Sequence, residues 1–382
     1  MVRMRTPEDH AAAVAAVLPA RGTETVPLGA ALGRVLAAPF HAVADSPLFD
    51  NSQMDGFALP SPGGTYEVGP TIAAGQDPDA LYPEGLGGRA APIMTGARLP
   101  HGTVAVVAVE TCEPPEFLEP GTRLRTPPAP EGQFIRRAGV DVTAGQLLID
   151  APVPLTPLHL GVLAGQGVAE VEVLARAGVL LCTGGAEVGV GGAAGIPDVN
   201  TPLLRALCER AGIDVRGVVR TDDDPEALAR ELEAGVDKHR PSAIITSGGI
   251  SAGKFEVVRQ VLEGGWFGKV AQQPGGPQGI STFRGVPVIS LPGNPISTLV
   301  SFRLFVAPLL GHAPPPVELP VSADAPGLPG RDQFLRGTHG ARAVPLGGAG
   351  SHFLGQAADA TCLIRIPAGG ASAGDNVTVY PL

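Results

Sequence analysis

Residues 178–311 alternate short apolar runs with helical patterns, and this alternation constrains the fold more than any other feature of the chain. Residues 179–182, 215–219, 243–245 and 286–289 are strand-length runs rich in apolar side chains. Between them lie helix starts followed by 3.6-residue periodicity. Thr201 and Pro202 precede Leu203, Leu204, Leu207 and Ala211, closed by Gly212, and Asp224 and Pro225 precede Leu228 and Leu232. Further helices are predicted from Glu256 and from Pro295. Strands that are apolar along their length are buried on both faces, so the prediction is a doubly wound parallel sheet. Such a sheet collects the turns that leave its strands along one rim. Thr183 and Gly184, residues 222–224, residues 247–253 and residues 292–297 all follow strands and are expected there.

The loop SGGISAG, residues 247–253, is the most distinctive of these. Gly248, Gly249 and Gly253 can take positive φ, Ser247 and Ser251 add hydroxyls, and a helix N-terminus follows. It reads either as an anion cradle or as a plain strand-to-helix turn. Composition narrows the partner. The net charge is −10 and aromatic residues make up 4%, with no Lys/Arg cluster, which argues against a nucleic-acid surface. An anion must then be met locally, by main-chain N–H groups and a few cations.

Cys112, Cys182, Cys208 and Cys362 lie far apart without a CxxC pair and read as buried thiols of a reducing compartment. No signal-like segment and no membrane-length apolar run is present, so the expectation is a cytoplasmic protein without membrane insertion. No two histidines have helical ligand spacing, and His352, beside Ser351, is the only one singled out.

Toward the N-terminus, Thr6 and Pro7 start a helix running to Leu18, and residues 27–37 predict a second short helix. Asp50, Asn51, Ser52, Asp55 and Gly56 cluster among Phe49, Met54 and Phe57, as an Asx-turn corner or part of a metal site. Residues 66–137 read as a small β domain whose most distinctive loop is IMTGARLP, residues 93–100. Helical spacing returns at 155–165, so the β region is inserted into a helical segment. From Pro314 the chain reads as a separate β domain. The boundaries expected are 1–44 with 138–174, then 45–137, 175–312 and 313–382.

DNSQMDGFA (50–58), IMTGARLP (93–100), IRRAGVD (135–141), SGGISAG (247–253), QPGGPQG (273–279) and LPGNPIS (291–297), in this order, resemble the MoeA / gephyrin E-domain family. The resemblance implies a four-domain homodimer with a mainly helical segment, an inserted β domain, a central α/β domain and a C-terminal β-barrel-like domain. The implied activity is molybdopterin molybdenumtransferase: molybdenum from molybdate enters adenylylated molybdopterin, AMP leaves, and Mg²⁺ or another divalent cation assists. The active site would lie between the α/β domain of one subunit and the β-rich part of its partner.

Carried over by position, Asp50 and Thr95 would face the partner's active site and Asp223 would lie at the rim. Ser247, Gly248, Gly249 and Ser251 would hold phosphates, while Pro277, Ser297, Arg336 and Ser351 would line the molybdate pocket. Thr183, Pro292, Asn294 and Pro295 complete the substrate-binding set. Glu187, Asp223 and Glu256 would position the cation and, with Asp50, carry the catalytic assignment. Three loops depart from the family pattern. TGGAEV replaces TGDEL, leaving Gly185 at the acidic position with Glu187 nearby. SAGKFE replaces SVGDYD, with Lys254 for the first Asp and Glu256 for the second. QPGGP replaces KPGKP, so Gln273 and Gly276 stand where relatives carry cations. The alternative reading is a gephyrin-like dimeric scaffold with a degenerate site that binds a partner protein's peptide tail.

Overall fold

A computed structural model describes residues 4–184, 196–221, 224–250, 257–262 and 264–382. The chain packs as two compact units, one of Met1–Thr25, Gly33–Val35 and Val173–Leu382, the other of Val26–Leu32 and Leu36–Glu172.

The first unit is built on a six-stranded sheet. Gly178–Gly184 pairs in parallel with Asp214–Thr221 on one side and with Ala243–Ser247 on the other, and the latter pairs in parallel with Val286–Leu291. Side chains alternate between two covered faces, as a pleated strand requires. On one face Val179, Leu181 and Ile245 meet Leu204 and Cys208 of helix Asn200–Arg210, Val14 of helix Pro7–Val17, and Phe302 and Phe305 of helix Pro295–Phe305. On the other, Leu180, Cys182, Ile244 and Val288 meet Leu228 and Leu232 of helix Pro225–His239 and Val257 and Val258 of helix Val257–Val261. The caps are those the sequence advertises. Thr6 forms a capping box with Asp9, and the Asp224 carboxylate accepts the N–H groups of Glu226 and Ala227.

The sheet does not stop at the parallel strands. Pro277–Phe283 and Trp266–Lys269 extend it antiparallel beyond Val286–Leu291. Arg284 and Gly285, at φ 48° and 80°, form the two-residue hairpin turn, the twist-matched kind with both residues left-handed. The pattern of the two added strands is interrupted by Gly268, Pro277 and Gly279, so periodicity alone passes over them.

Gln272–Gln273 runs parallel to the start of Asp332–His339 and so joins the C-terminal sheet. Asp332–His339 pairs with Cys362–Ile366, which pairs with Asn376–Pro381, and Val317–Pro320 closes that edge. Phe334 and Leu363 on this sheet pack against Ile296, Leu299 and Val300 of helix Pro295–Phe305.

In the second unit, Gly56–Leu59 lies between Ala91–Ile93 and Ala105–Ala108, and Asn51–Ser52 pairs with Ile135–Arg136. Gly56 is sterically required: a Cβ there would meet the Val107 carbonyl oxygen at 1.8 Å. Residues 27–37 are not the predicted helix. Only Leu28–Ala30 makes a 3-10 turn, and Gly33 leaves helical space at φ 72°. The four cysteines are free and buried, and among the described residues no helix is long and apolar enough to cross a membrane.

His10 is fully buried against Trp266 and Phe305, with ring centroids 5.2 and 4.7 Å away, and neither ring nitrogen has a partner. The Arg5 guanidinium lies 3.8 Å from the Trp266 ring centroid. Burial, reinforced by the charge of Arg5, pushes the His10 pKa down from 6.5 to about 4. Between these values the unfolded chain binds the extra proton, so stability falls as pH drops through that window. Urea unfolding across pH 7 to 4 is expected to show this loss, and His10→Phe is expected to flatten it.

Candidate active site

The first crossover helix leads to a neighbouring strand on one side of Gly178–Gly184, while the second brings the chain back to its other side. The order of connection therefore reverses between Gly178–Gly184 and Ala243–Ser247, where open α/β sheets form a ligand crevice. Thr183 and Ser247 are aligned register partners at this place.

The turns beyond them nearly touch. A Cβ on Gly293 would lie 3.2 Å from the Gly248 Cα, and one on Gly248 would lie 3.8 Å from the Gly184 oxygen. Gly248 and Gly249 sit at φ 94° and 67°, and a Cβ on Gly249 would meet Val258 Cγ2 at 2.7 Å. The Gly248 N–H donates to the Leu291 carbonyl at 3.0 Å, tying the two turns together.

Two of the expected ligand hydroxyls face inward. Ser247 Oγ is 3.2 Å from Thr298 Oγ1 and donates to the Pro292 carbonyl at 3.4 Å, and Thr298 donates to the same carbonyl at 2.7 Å. Ser247 is thus a brace beneath the LPGNP turn. Thr183 Oγ1, fully buried, lies 2.5 Å from Thr201 Oγ1. The Thr201 N–H donates to Asp198, which pairs with Arg220 at 2.7 Å. Burial pushes the Asp198 carboxyl up, but the Thr201 and Arg220 donors outweigh it and leave the pKa below the ordinary value. Pro292, Asn294 and Pro295 stand at the start of helix Pro295–Phe305, and Asn294 is its N-cap without a side-chain capping bond. Glu187, Asp223, Ser251 and Glu256 lie outside the described residues.

The second group of assigned residues surrounds the same helix. Ser297 is buried in its first turn. A Cβ on Gly275 would lie 3.4 Å from the Ser297 carbonyl oxygen, and Gln278 donates to the Gly275 carbonyl and to Ser301 Oγ at 2.7 and 2.6 Å. The QPGGP segment, with Pro277, is therefore laid against the helix. Arg336 shares a strand face with Phe334, which packs on the helix. Arg336 as a whole is 2% exposed, and its guanidinium donates to the Gly350 carbonyl at 3.0 Å and to the Gly348 carbonyl, while Nε has no acceptor. Burial pushes its pKa below the usual arginine value. Ser351, half-buried, follows directly in the loop that Arg336 grips.

Lys269 was not among the residues assigned from the sequence. It is the exposed register partner of Pro277 in an antiparallel pair, which puts the two Cβ atoms about 4.5–5.5 Å apart. Cations sought inside QPGGP are absent, yet one stands on the adjoining strand, and only the pairing register reveals it.

In the second unit three of the family-like motifs zip together. Leu99 N–H donates to the Asp50 carbonyl, Ser52 and Gly96 bond to the carbonyls of Ala97 and Ser52, and Gln53 N–H donates to Phe134. The Asp50 carboxylate accepts the Ala138 N–H at 2.8 Å and pairs with Arg137 at 2.7 Å; both hold its pKa below the ordinary carboxylate value. The Thr95 hydroxyl and N–H each donate to Asp55 at 2.7 Å, lowering the Asp55 pKa likewise. Ser52 Oγ accepts the Met54 N–H at 3.2 Å, the hydrogen-bonded corner of the two readings. Among the described residues no group of three or more His, Cys, Asp or Glu is placed to hold a metal.

Family models match the chain in series: the MoeA N-terminal region (domain I and II) over 5–167, a probable molybdopterin binding domain over 180–312, and the MoeA C-terminal region (domain IV) over 318–382. A Mycobacterium tuberculosis protein named molybdopterin molybdenumtransferase 2 is 35% identical, over 95% of this chain and 96% of its own. A Staphylococcus aureus molybdopterin molybdenumtransferase is 31% identical, over 93% and 90%. The crystal structure of a molybdopterin biosynthesis MoeA protein from Pyrococcus horikoshii matches with TM-score 0.78 at 28% identity, over 99% of both chains. The chain belongs to the MoeA family.

The internal brace gives a graded expectation. Ser247→Ala removes one hydroxyl and leaves the Thr298–Pro292 bond, costing about 1 kcal/mol, whereas Thr298→Val strands buried partners and costs about 1–3 kcal/mol. Denaturant midpoints of the two variants check the order.

Proposed function

We propose that the chain transfers molybdenum from molybdate into adenylylated molybdopterin with release of AMP, a step in molybdenum cofactor biosynthesis. Arg336 carries this reading. Its guanidinium is buried, held only by main-chain carbonyls, and pairs with no acidic side chain among the described residues. A buried cation is costly unless a charge completes it, and a planar fork of donors suits a tetrahedral oxyanion. Lys269, beside Pro277, supplies a positive charge near a segment that lacks the two lysines of relatives.

In this reading Arg336, Lys269, Ser297 and Ser351 hold and orient molybdate. The Gly249 N–H faces the phosphates, that of Gly248 being committed to the Leu291 carbonyl, and a fixed donor there offsets the charge that builds as the phosphoanhydride breaks. Asp50 and Thr95 approach from a second subunit, so the active form is a homodimer. Leu32, Val43, Leu48, Val140 and Leu158 of the second unit are large, exposed and apolar, which supports association. Mg²⁺ is part of the proposal through Glu187, Asp223 and Glu256, hard oxygen donors of the kind it prefers. In the sequence these residues follow Gly184, Thr221 and Ser247, the last residues of three parallel strands. On this reading the domains are 1–44 with 138–174, 45–137, 175–312 and 313–382, and the protein acts in the cytoplasm. No observation favours the adaptor alternative.

Expression in a bacterial strain lacking its molybdenum insertase is expected to restore molybdoenzyme activity. Arg336→Ala is expected to lower it by about 10²–10³, the loss typical of one fixed donor to a developing anion. Lys269→Ala is expected to lower it less, and undiminished activity of Arg336→Ala contradicts the assignment. Chelating divalent cations with EDTA is expected to stop AMP release and added Mg²⁺ to restore it. Mixing inactive Asp50→Asn with inactive Arg336→Ala is expected to recover part of the activity, because a heterodimer then contains one intact shared site.

A further inference from the structure

The segment from Asp198 into the first turn of helix Asn200–Arg210 is fastened to three parts of the rim. Thr201 meets Thr183 on the first strand, Asp198 meets Arg220 on the second, and Asn200 Nδ2 donates to the Gly293 carbonyl at 2.7 Å. The last of these contacts reaches past Ala243–Ser247 to the turn after Val286–Leu291. It has a cost that the other two lack: Asn200 Oδ1 is buried and has no partner. The amide is thus held by its nitrogen alone, and an unpaired buried oxygen of this kind calls for an explanation.

A trans peptide points its C=O and its N–H in opposite directions. With the Gly293 carbonyl turned toward Asn200, the N–H of Asn294 points away from it, at the N-cap of helix Pro295–Phe305. Glycine leaves the preceding backbone little steric preference between the two orientations of this peptide. In the flipped form a carbonyl oxygen would stand where the N–H now stands, repelling an anion.

We propose that Asn200 is a positioning residue that locks the Gly293–Asn294 peptide in its anion-accepting orientation, and so sets affinity for the phosphate-bearing part of the substrate. This rests on the functional reading above, with AMP as the probe. Asn200→Asp keeps the shape but opposes the Gly293 carbonyl with a second acceptor, while Asn200→Gln keeps a donor on a longer arm. Calorimetry is expected to show AMP binding weakened tenfold or more in Asn200→Asp and largely recovered in Asn200→Gln. In turnover the KM for adenylylated molybdopterin is expected to rise with kcat within twofold of the parent.

Crystal structures of the variants provide a readout independent of the substrate. A Gly293 carbonyl rotated away in Asn200→Asp supports the lock, and an unmoved peptide overturns it. Parent-like AMP affinity in Asn200→Asp also overturns it while leaving the functional reading intact. Failure of the parent protein to bind AMP overturns both.

Discussion

Parallel pairing of Gly178–Gly184 with Ala243–Ser247 is the constraint on which the rest of the first unit depends. Because the two strands run the same way in register, the turns that leave them emerge side by side. Because the intervening strand Asp214–Thr221 is placed on the far side, no crossover helix fills the gap between those turns. The sheet can hold this arrangement only while both of its faces are covered, and the alternation of Leu181 and Ile245 on one side with Leu180 and Ile244 on the other supplies that cover. The chemistry of the rim is a consequence of this packing. Gly248 and Gly293 approach to backbone contact because neither carries a side chain, and the hydroxyls of Ser247 and Thr298 fasten the two turns from beneath.

Charge is distributed in the same economical way. In a chain of net charge −10, a broad positive field is not available to attract an anion. In the proposed site the positive charge would instead come from Arg336, buried and bonded to the carbonyls of the loop it grips, and from Lys269 on the sheet edge. The carboxylates of the second unit that the family motifs contain are committed locally, Asp50 to Arg137 and Asp55 to Thr95. These donors hold both carboxyl pKa values below the ordinary carboxylate value.

Much of this architecture is legible in the residues themselves, where the local signal and the tertiary demand agree. Asp224 with Pro225 starts a helix because capping and periodicity point the same way, and residues 243–245 read as a buried strand because nothing polar interrupts them. The reading fails where tertiary contacts override local pattern. Pro277–Phe283 is held by pairing to Val286–Leu291, and Trp266–Lys269 by pairing to Pro277–Phe283, although their glycines weaken any strand signal. Residues 27–37 carry helical spacing, but Gly33 in a left-handed conformation ends the turn. At the site, residue type marks Ser247 as a ligand, whereas its direction, known only from the fold, makes it a brace. Lys269 and Asn200 escape for a related reason. Their roles come from a register partner and from a contact across 93 positions, neither of which a motif contains.

The account stands on two subsites around one helix start: a nucleotide at the strand turns and an oxyanion at Arg336. Crystals soaked with molybdate and AMP test this most directly. The account predicts AMP phosphate density against the Gly248 and Gly249 turn, with tetrahedral density against Arg336. Ligand density on another face of the sheet, with the Arg336 guanidinium still closed on the carbonyls of Gly348 and Gly350, would contradict it.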